Sequence, residues 1–435
     1  MRHSGGADHS LSEEALDVGL GHVGTRAYRV VVVLSLLLGV TAVVRSADGL
    51  TSITGSDLTN FFLKSAADVA RGNPWHMYAI RSSAPYPTYP NVDPPLSIVA
   101  MVPWLWVGHA LGVAHTYSAQ VTLVSLPFVL LIPLLGSVVV AALRVTPPGA
   151  PATTRVLAFA LIALGPLTWV CVATWGHLEQ PLMLCFLVAA VAALHLRREA
   201  LAGVLAGLAL LSGTAALFPL AALVALLVVQ RQWRAVALVG GLATTVVALG
   251  LAPFLVVDRR DTVYSLLTWR GSEQIGGNSL WSVVTVDAVA RALPRSVDAL
   301  LRRLDTPAII ALAVCTAVLA ARRLRVSAYG PEAWAVLAIA ALGLPMLAKV
   351  MWPYYYLQPF VLLVIYECAT SPRRPAGLWR WPVLSIGFLV IATTLAQYVG
   401  LTSVGSLDRV VTGALQSGVM LLFVRATWRH LRALG

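Results

Sequence analysis

Charge is scarce in this chain. Asp, Glu, Lys and Arg make up 11% of its 435 residues, less than half the usual share in a soluble domain. Hydrophobic residues reach 58% and the mean hydropathy is +0.79, which excludes an ordinary soluble fold and implies a polytopic integral membrane protein. Cysteine is nearly missing: Cys171, Cys185, Cys315 and Cys368 lie in or beside apolar runs with no CxxC spacing. They form neither a disulfide framework nor a metal set and read as packing residues. No GxxxxGKS/T, HExxH or GxSxG occurs, so there is no phosphate loop, zinc-protease helix or nucleophile elbow. No fixed-period repeat or low-complexity tract divides the chain.

What is abundant is hydrocarbon. About twelve apolar runs recur, at 27–44, 94–112, 118–143, 156–173, 180–196, 201–229, 235–257, 306–321, 333–351, 354–369, 382–399 and 410–425. Each is of a length to cross a core of roughly 30 Å, and each is expected to be helical because lipid offers the backbone no hydrogen bonds. The expected fold is therefore all-α and polytopic. Residues 1–25 carry mixed charge without an apolar core and read as a disordered cytoplasmic tail; 26–435 read as one membrane domain.

The net charge of +12 comes from short arginine clusters beside the spans, among them Arg26 and Arg29, 231–234, 322–325, 373–380 and 425–432. That is a topology signal and excludes a nucleic-acid stripe. It places both termini in the cytoplasm and leaves the loops 45–93 and 258–305, with 351–359 and 400–409, on the outer face of the cell membrane. "WGHLEQ" at 175–180 resists this scheme: a plain count makes it cytoplasmic, whereas the charge rule prefers it outside. Pro127, Pro133, Gly213 and Pro219 interrupt nearby segments, so a half-helix that flips the local parity puts it outside, the reading preferred here.

The polar residues gather in a few places. "DLTNFFLKSAADVARG" at 57–72 has helical spacing, with Leu58, Phe62 and Val69 on one face and Asp57, Lys64 and Asp68 on another. It is expected to be an amphipathic helix in the first outer loop, stopped by Gly72 and Pro74. Asp57 has two readings: a first-turn acid favoured by the helix dipole, or a general base that takes a hydroxyl proton late in the reaction. "PYPTYPNVDPPL" at 85–96 is a stiff entry to the next span, in which Tyr86 and Tyr89 serve as interfacial anchors or as a platform for a sugar, with Asp93 beside them.

"TWGHLEQP" at 174–181 and "RGSEQIGGNSLWS" at 270–282 bring Trp175, Glu179, Gln180, Asn278 and Trp281 between apolar runs, a mixture that suits a polyol stacked on an indole. His177 reads equally as a satisfied helix-end residue or as part of a site. Lys349, in "LAKVMWPYYYLQP", is the lysine set within an apolar run. It is either functional, as an intramembrane cation is by default, or a residue that snorkels to the interface.

The order of these motifs resembles the GT-C class of membrane glycosyltransferases. A first span, "SDLTNFFLKSAADVARGNPW", a "YP…PPL" entry, "WGHLEQ", "GLALLSGTAALFPL", "GGNSLW" and "PYYYLQP" follow one another over most of 27–370, most like the bacterial polyprenyl-phosphate-mannose-dependent mannosyltransferases. The resemblance implies an inverting transferase that moves a sugar, mannose first, from a polyprenyl phosphate to a glycolipid or cell-envelope glycan on the extracytoplasmic side. It implies Asp57 as base, and Lys349, Arg270, Lys64, Arg81 and His177 as candidate ligands of the donor phosphate, with Tyr354 and Tyr355 joining the substrate contacts. No cofactor is expected and a divalent metal is unnecessary, since a phosphate leaving group needs cations more than a proton.

Two departures stand out. Many relatives read "GQ" followed by Asn or Asp where this chain has Gly176–His177–Leu178–Glu179, and relatives carry a lysine in the segment that here reads "LLSGTAALFP". The rival readings are a transporter or lipid flippase that makes no bond, and a noncatalytic scaffold. Few ionisable residues lie deep in the apolar runs, which argues against a proton- or sodium-coupled carrier.

Overall fold

A computed structural model describes residues 8–47, 58–79, 90–269, 279–285, 294, 300–301, 303–373, 381–401 and 406–434, and all the regular structure among them is helical. Among the described residues six helices are long and apolar enough to cross a membrane, and others of 10–17 residues are apolar but shorter. In chain order the helices are α1 (Asp8–Ala47), α2 (Leu63–Ala70), α3 (Pro95–Val99), α4 (Val102–Ala110), α5 (Tyr117–Phe128), α6 (Leu131–Val145), α7 (Ala152–Leu164), α8 (Pro166–Ala173) and α9 (Glu179–His195). There follow α10 (Glu199–Ser212), α11 (Leu217–Val229), α12 (Trp233–Val257), α13 (Arg259–Val263), α14 (Asp305–Arg323), α15 (Ala333–Leu347), α16 (Leu357–Thr370), α17 (Val383–Leu401) and α18 (Ser406–Leu434). Helix α1 begins at Asp8, inside the segment expected to be a disordered tail.

Side-chain contacts sort the helix ends into two poles. At one, the Arg197 guanidinium lies 3.5 Å from the centre of the Tyr329 ring. Gln230 Nε2 donates to the Val326 carbonyl (2.6 Å) and the Ala328 N–H donates to Gln230 Oε1 (3.2 Å). Trp334 Nε1 donates to Thr146 Oγ1 (3.2 Å), which also meets His195 Nδ1 at 2.9 Å. These bonds join the ends of α6, α9, α11 and α14 to the start of α15. At the other pole the ends of α8 and α10 meet the starts of α9, α11 and α16, through His177 stacked on Tyr354 and Gln358 Nε2 donating to the Ala215 carbonyl (3.2 Å).

Two of the expected spans change under this geometry. The run 94–112 is broken into α3 and α4, and Trp106 Nε1 in α4 donates to the Ala70 carbonyl at the end of α2 (2.9 Å). A helix tied to α2 at its far turn stays at the second pole. The run 201–229, by contrast, is a hairpin: α10 arrives at the second pole, the chain breaks at Gly213, and α11 returns. One traverse is lost and one gained, so among the described residues the pole-to-pole passages are α1, α5–α6, α7–α8, α9, α10, α11, α12, α14, α15, α16, α17 and α18. The loss before "WGHLEQ" is the parity flip that sets 174–178 at the second pole.

Small residues allow close packing. Gly203 and Gly207 of α10 face α12: a Cβ at Gly203 would stand 2.4 Å from the Leu238 carbonyl oxygen, and one at Gly207 would stand 2.6 Å from Val246 Cβ. This is a small-xxx-small contact. Gly203→Ala is expected to lower stability by about 2 kcal/mol, seen as a reduced thermal midpoint in detergent. Gly240→Ala, where a Cβ meets nothing within 4 Å, is the neutral control.

The short helices α15 and α16 need no lipid-length apolar span because they lie inside the bundle: every residue of α16 is buried. Glu367 in α16 is buried too, and its carboxylate caps the start of α17, accepting from Leu384 N–H (3.1 Å), Ser385 N–H (2.7 Å) and Ser385 Oγ (2.6 Å). A negative charge at a helix N-terminus satisfies amide donors that lipid cannot. Glu367→Ala is expected to cost about 3 kcal/mol, again read from the thermal midpoint.

Candidate active site

At the second pole the chain forms a cleft of about 450 Å³, counting its open mouth, into which four separate stretches reach. Phe61 and Phe62 come from the first loop, Asp93 from the entry to α3, His177, Glu179 and Gln180 from the start of α9, and Tyr354 and Tyr355 from the turn before α16. The floor is the Gly213–Ala215 break between α10 and α11. Unwound backbone at membrane depth is tolerated where it lines a cavity, and here Gln358 meets one of the exposed carbonyls. A Cβ at Gly213 would approach Met183 Sδ to 2.9 Å, so the break also brings α9 close.

Local chemistry shapes each wall. Leu58–Phe62 form a π-type turn that leads into α2. Lys64, expected on a polar face with Asp68, is buried with Leu63, Ala66 and Ala67, while Asp68 lies at the more exposed end and pairs with Arg71 at 3.0 Å. Next, Asn91 Oδ1 accepts from the Asp93 N–H (3.1 Å), an Asx turn that sets up Pro94 and Pro95 to start α3. The Asp93 carbonyl accepts from Tyr78 Oη (3.0 Å). Burial, and secondarily the Asp93 carboxylate, pushes the Tyr78 phenol well above its usual range, so it remains a donor.

The third wall is the turn 174–178. Gly176 takes a φ of +65°, and the His177 N–H reaches back to the Cys171 carbonyl (3.0 Å). Only glycine adopts that conformation without strain. The turn aims the His177 ring between two aromatics, stacked on Tyr354 with centroids 3.3 Å apart and edge-to-face with Phe62 at 5.8 Å. Its Nδ1 is bonded to Glu179 Oε1. Glu179 is 1% exposed, and its Oε2 has no hydrogen-bond partner among the described residues. Tyr354 in turn meets Tyr355 edge-on at 4.7 Å.

Other expected residues fall beside this cleft. Lys349 is buried, and its backbone N–H donates to Asp305 Oδ2 at 3.4 Å. The stretch that carries it is braced by Trp281, whose Nε1 donates to the Leu347 carbonyl (2.6 Å). Trp281 and Trp175 do not line the cleft; Trp175 packs at the edge of the apolar core instead. Asp57, Arg81, Tyr86, Tyr89, Arg270 and Asn278 lie outside the described residues. Leu58, the residue after Asp57, is fully buried, and the wall residues Phe61 and Phe62 follow within one turn.

Two signals were missed in the sequence. Lysine occurs twice in the whole chain, at 64 and 349, against 29 arginines, and both lysines are buried at this pole. Thr214 and Gly213 also line the cleft, which the "LSGT" break hinted at. No group of three or more His, Cys, Asp or Glu suited to a metal occurs among the described residues.

Aromatic walls and the buried carboxylates of Asp93 and Glu179, with two buried lysines at the same pole, can hold a hydroxylated ring next to an anion. No curated protein and no solved structure matches the chain. Residues 91–350, which run from Asn91 at the cleft through the turn 174–178 to the stretch that carries Lys349, match the family model of glycosyltransferase family 87. That match covers more than half of the chain, which therefore belongs to glycosyltransferase family 87, a family of GT-C-type membrane enzymes.

Proposed function

We propose that this glycosyltransferase transfers mannose with inversion from a polyprenyl monophosphate to a hydroxyl of a glycolipid or cell-envelope glycan. The observation that carries the reading is the meeting of the 61–62, 93, 177–180 and 354–355 stretches in one cleft, immediately after Asp57 in the chain. The acceptor oxygen attacks the anomeric carbon, the bond to the phosphate oxygen breaks with its electron pair, and the hydroxyl proton passes to the Asp57 carboxylate. A phosphate leaving group needs no proton; it needs cations, and Lys349 and Lys64 are the described candidates, with Arg270 and Arg81 in the outer loops. His177 has its Nδ1 committed to Glu179, and we assign it to the sugar side of the cleft in place of the phosphate side.

The sidedness follows from the same proposal. Arg144, Arg197, Arg198, Arg231, Arg322, Arg323 and Arg325 cluster at the pole opposite the cleft, and arginine-rich ends face the cytoplasm. The cleft then opens on the extracytoplasmic side. The test is label transfer by the purified protein from a panel of radiolabelled polyprenyl-phosphate sugars and nucleotide sugars into a lipid and glycan extract. Transfer from the mannosyl donor alone supports the reading; transfer from another sugar replaces mannose, and transfer from nucleotide sugars alone overturns the lipid-linked donor.

A further inference from the structure

One carboxylate oxygen of a residue that lines the cleft has no hydrogen-bond partner among the described residues. Glu179 is 1% exposed, its Oε1 is taken by His177, and its Oε2 is the oxygen left over. A buried charged acceptor left unsatisfied is costly, and a donor entering the cleft relieves that cost. The surroundings specify the donor. Glu179 stands in the first turn of α9, where the helix dipole favours a negative charge, so an entering anion is repelled. Gln180 beside it supplies an amide, and Phe61, Phe62 and Tyr355 supply apolar faces for the C–H side of a ring. An uncharged, hydroxylated ring meets all of these conditions.

We propose that Glu179 is the specificity-determining residue for the sugar: its Oε2 accepts the O–H of one ring hydroxyl of a neutral sugar. His177 is the positioning residue, clamped by Tyr354 and Phe62, that holds the carboxylate in place. The inference rests on the cleft being the transfer site, and it adds a substrate class. Uronic acids and phosphosugars are excluded from this subsite, and the donor phosphate lies at the far side of the ring, away from Glu179. The same hydroxyl chemistry is offered by a donor sugar and by an acceptor sugar, so the test separates them.

The full chain in detergent micelles is titrated with decaprenyl phosphate, decaprenyl-phosphate mannose and its single-deoxy analogues, and separately with hexyl mannosides and glucosides, while its thermal midpoint is followed. In the wild type, the sugar-bearing lipid is expected to bind at least about tenfold more tightly than bare decaprenyl phosphate, and one deoxy analogue to lose that gain. Glu179→Gln is expected to abolish the gain while the response to bare decaprenyl phosphate persists, which shows that the fold is intact. His177→Phe is expected to behave like Glu179→Gln, and His177→Asn, which keeps a donor near the Nδ1 position, to restore the gain. A gain confined to the hexyl glycosides assigns the hydroxyl to the acceptor. A Glu179→Gln protein that keeps the full gain, or a wild type with no gain from any sugar, overturns the inference. Label transfer is scored independently, so a transferring enzyme with a Glu179-independent gain retains the proposed function and loses only this assignment.

Discussion

Asp57→Asn is expected to lower sugar transfer by roughly three orders of magnitude while the protein still folds and inserts. The substitution is nearly isosteric and removes one thing, the ability to accept a proton, and positioned proton transfer contributes about 10²- to 10⁴-fold. The competing account makes Asp57 a helix-start acid, worth under about 1 kcal/mol at an exposed end. The two accounts move different observables. A helix-start acid changes the thermal midpoint slightly and leaves transfer intact, whereas a base changes transfer and leaves the midpoint alone. Initial rates at saturating donor and acceptor, taken with the midpoint of the same preparation, decide between them. Asp57→Glu adds a check on geometry, since an extra methylene displaces the carboxylate from the acceptor oxygen and is expected to recover only part of the activity. Equal rates for wild type and Asp57→Asn would end the role of Asp57 as base.

Most of the fold was legible because the signal for it is crude. A run of about twenty apolar residues says "helix across lipid" whatever its neighbours do. The two misread runs show where that signal fails. Residues 201–229 have the same hydropathy whether the chain passes straight through or turns back, and the turn depends on contacts distant in sequence: Gly213 against Met183, and Gln358 against the Ala215 carbonyl. Residues 94–112 look like a span until Trp106 is seen bonded to Ala70. The cleft was legible as a set of motifs and not as an assembly. "WGHLEQ" and "PYYYLQP" were marked separately, but the stacking of His177 on Tyr354 joins residues 177 positions apart in the chain. The orphaned Glu179 Oε2 has no trace in the sequence at all, because an unmet hydrogen bond is a property of the packed surroundings. The burial of Lys64 was not legible in the 57–72 segment, because helical spacing says which residues share a face and not what packs against that face.

Lys349→Met is expected to lower kcat/KM for the donor by roughly two to three orders of magnitude. Lys349 is 3% exposed, on the non-helical stretch between α15 and the turn that carries Tyr354 and Tyr355. A cation in such a place is costly to desolvate and is functional by default. The structural alternative is that it serves Asp305, whose Oδ2 already accepts from the Lys349 N–H. Under that alternative, Lys349→Met leaves a carboxylate with less of its neutralising charge, the midpoint falls, and a second substitution, Asp305→Asn, restores it. Under the phosphate-binding role Asp305→Asn rescues nothing, and Lys349→Arg retains part of the activity because a guanidinium still meets phosphate. A parallel loss in Lys64→Met would place both of the chain's lysines on the donor. Full donor affinity in that variant would leave the phosphate to Lys349 and the outer-loop arginines.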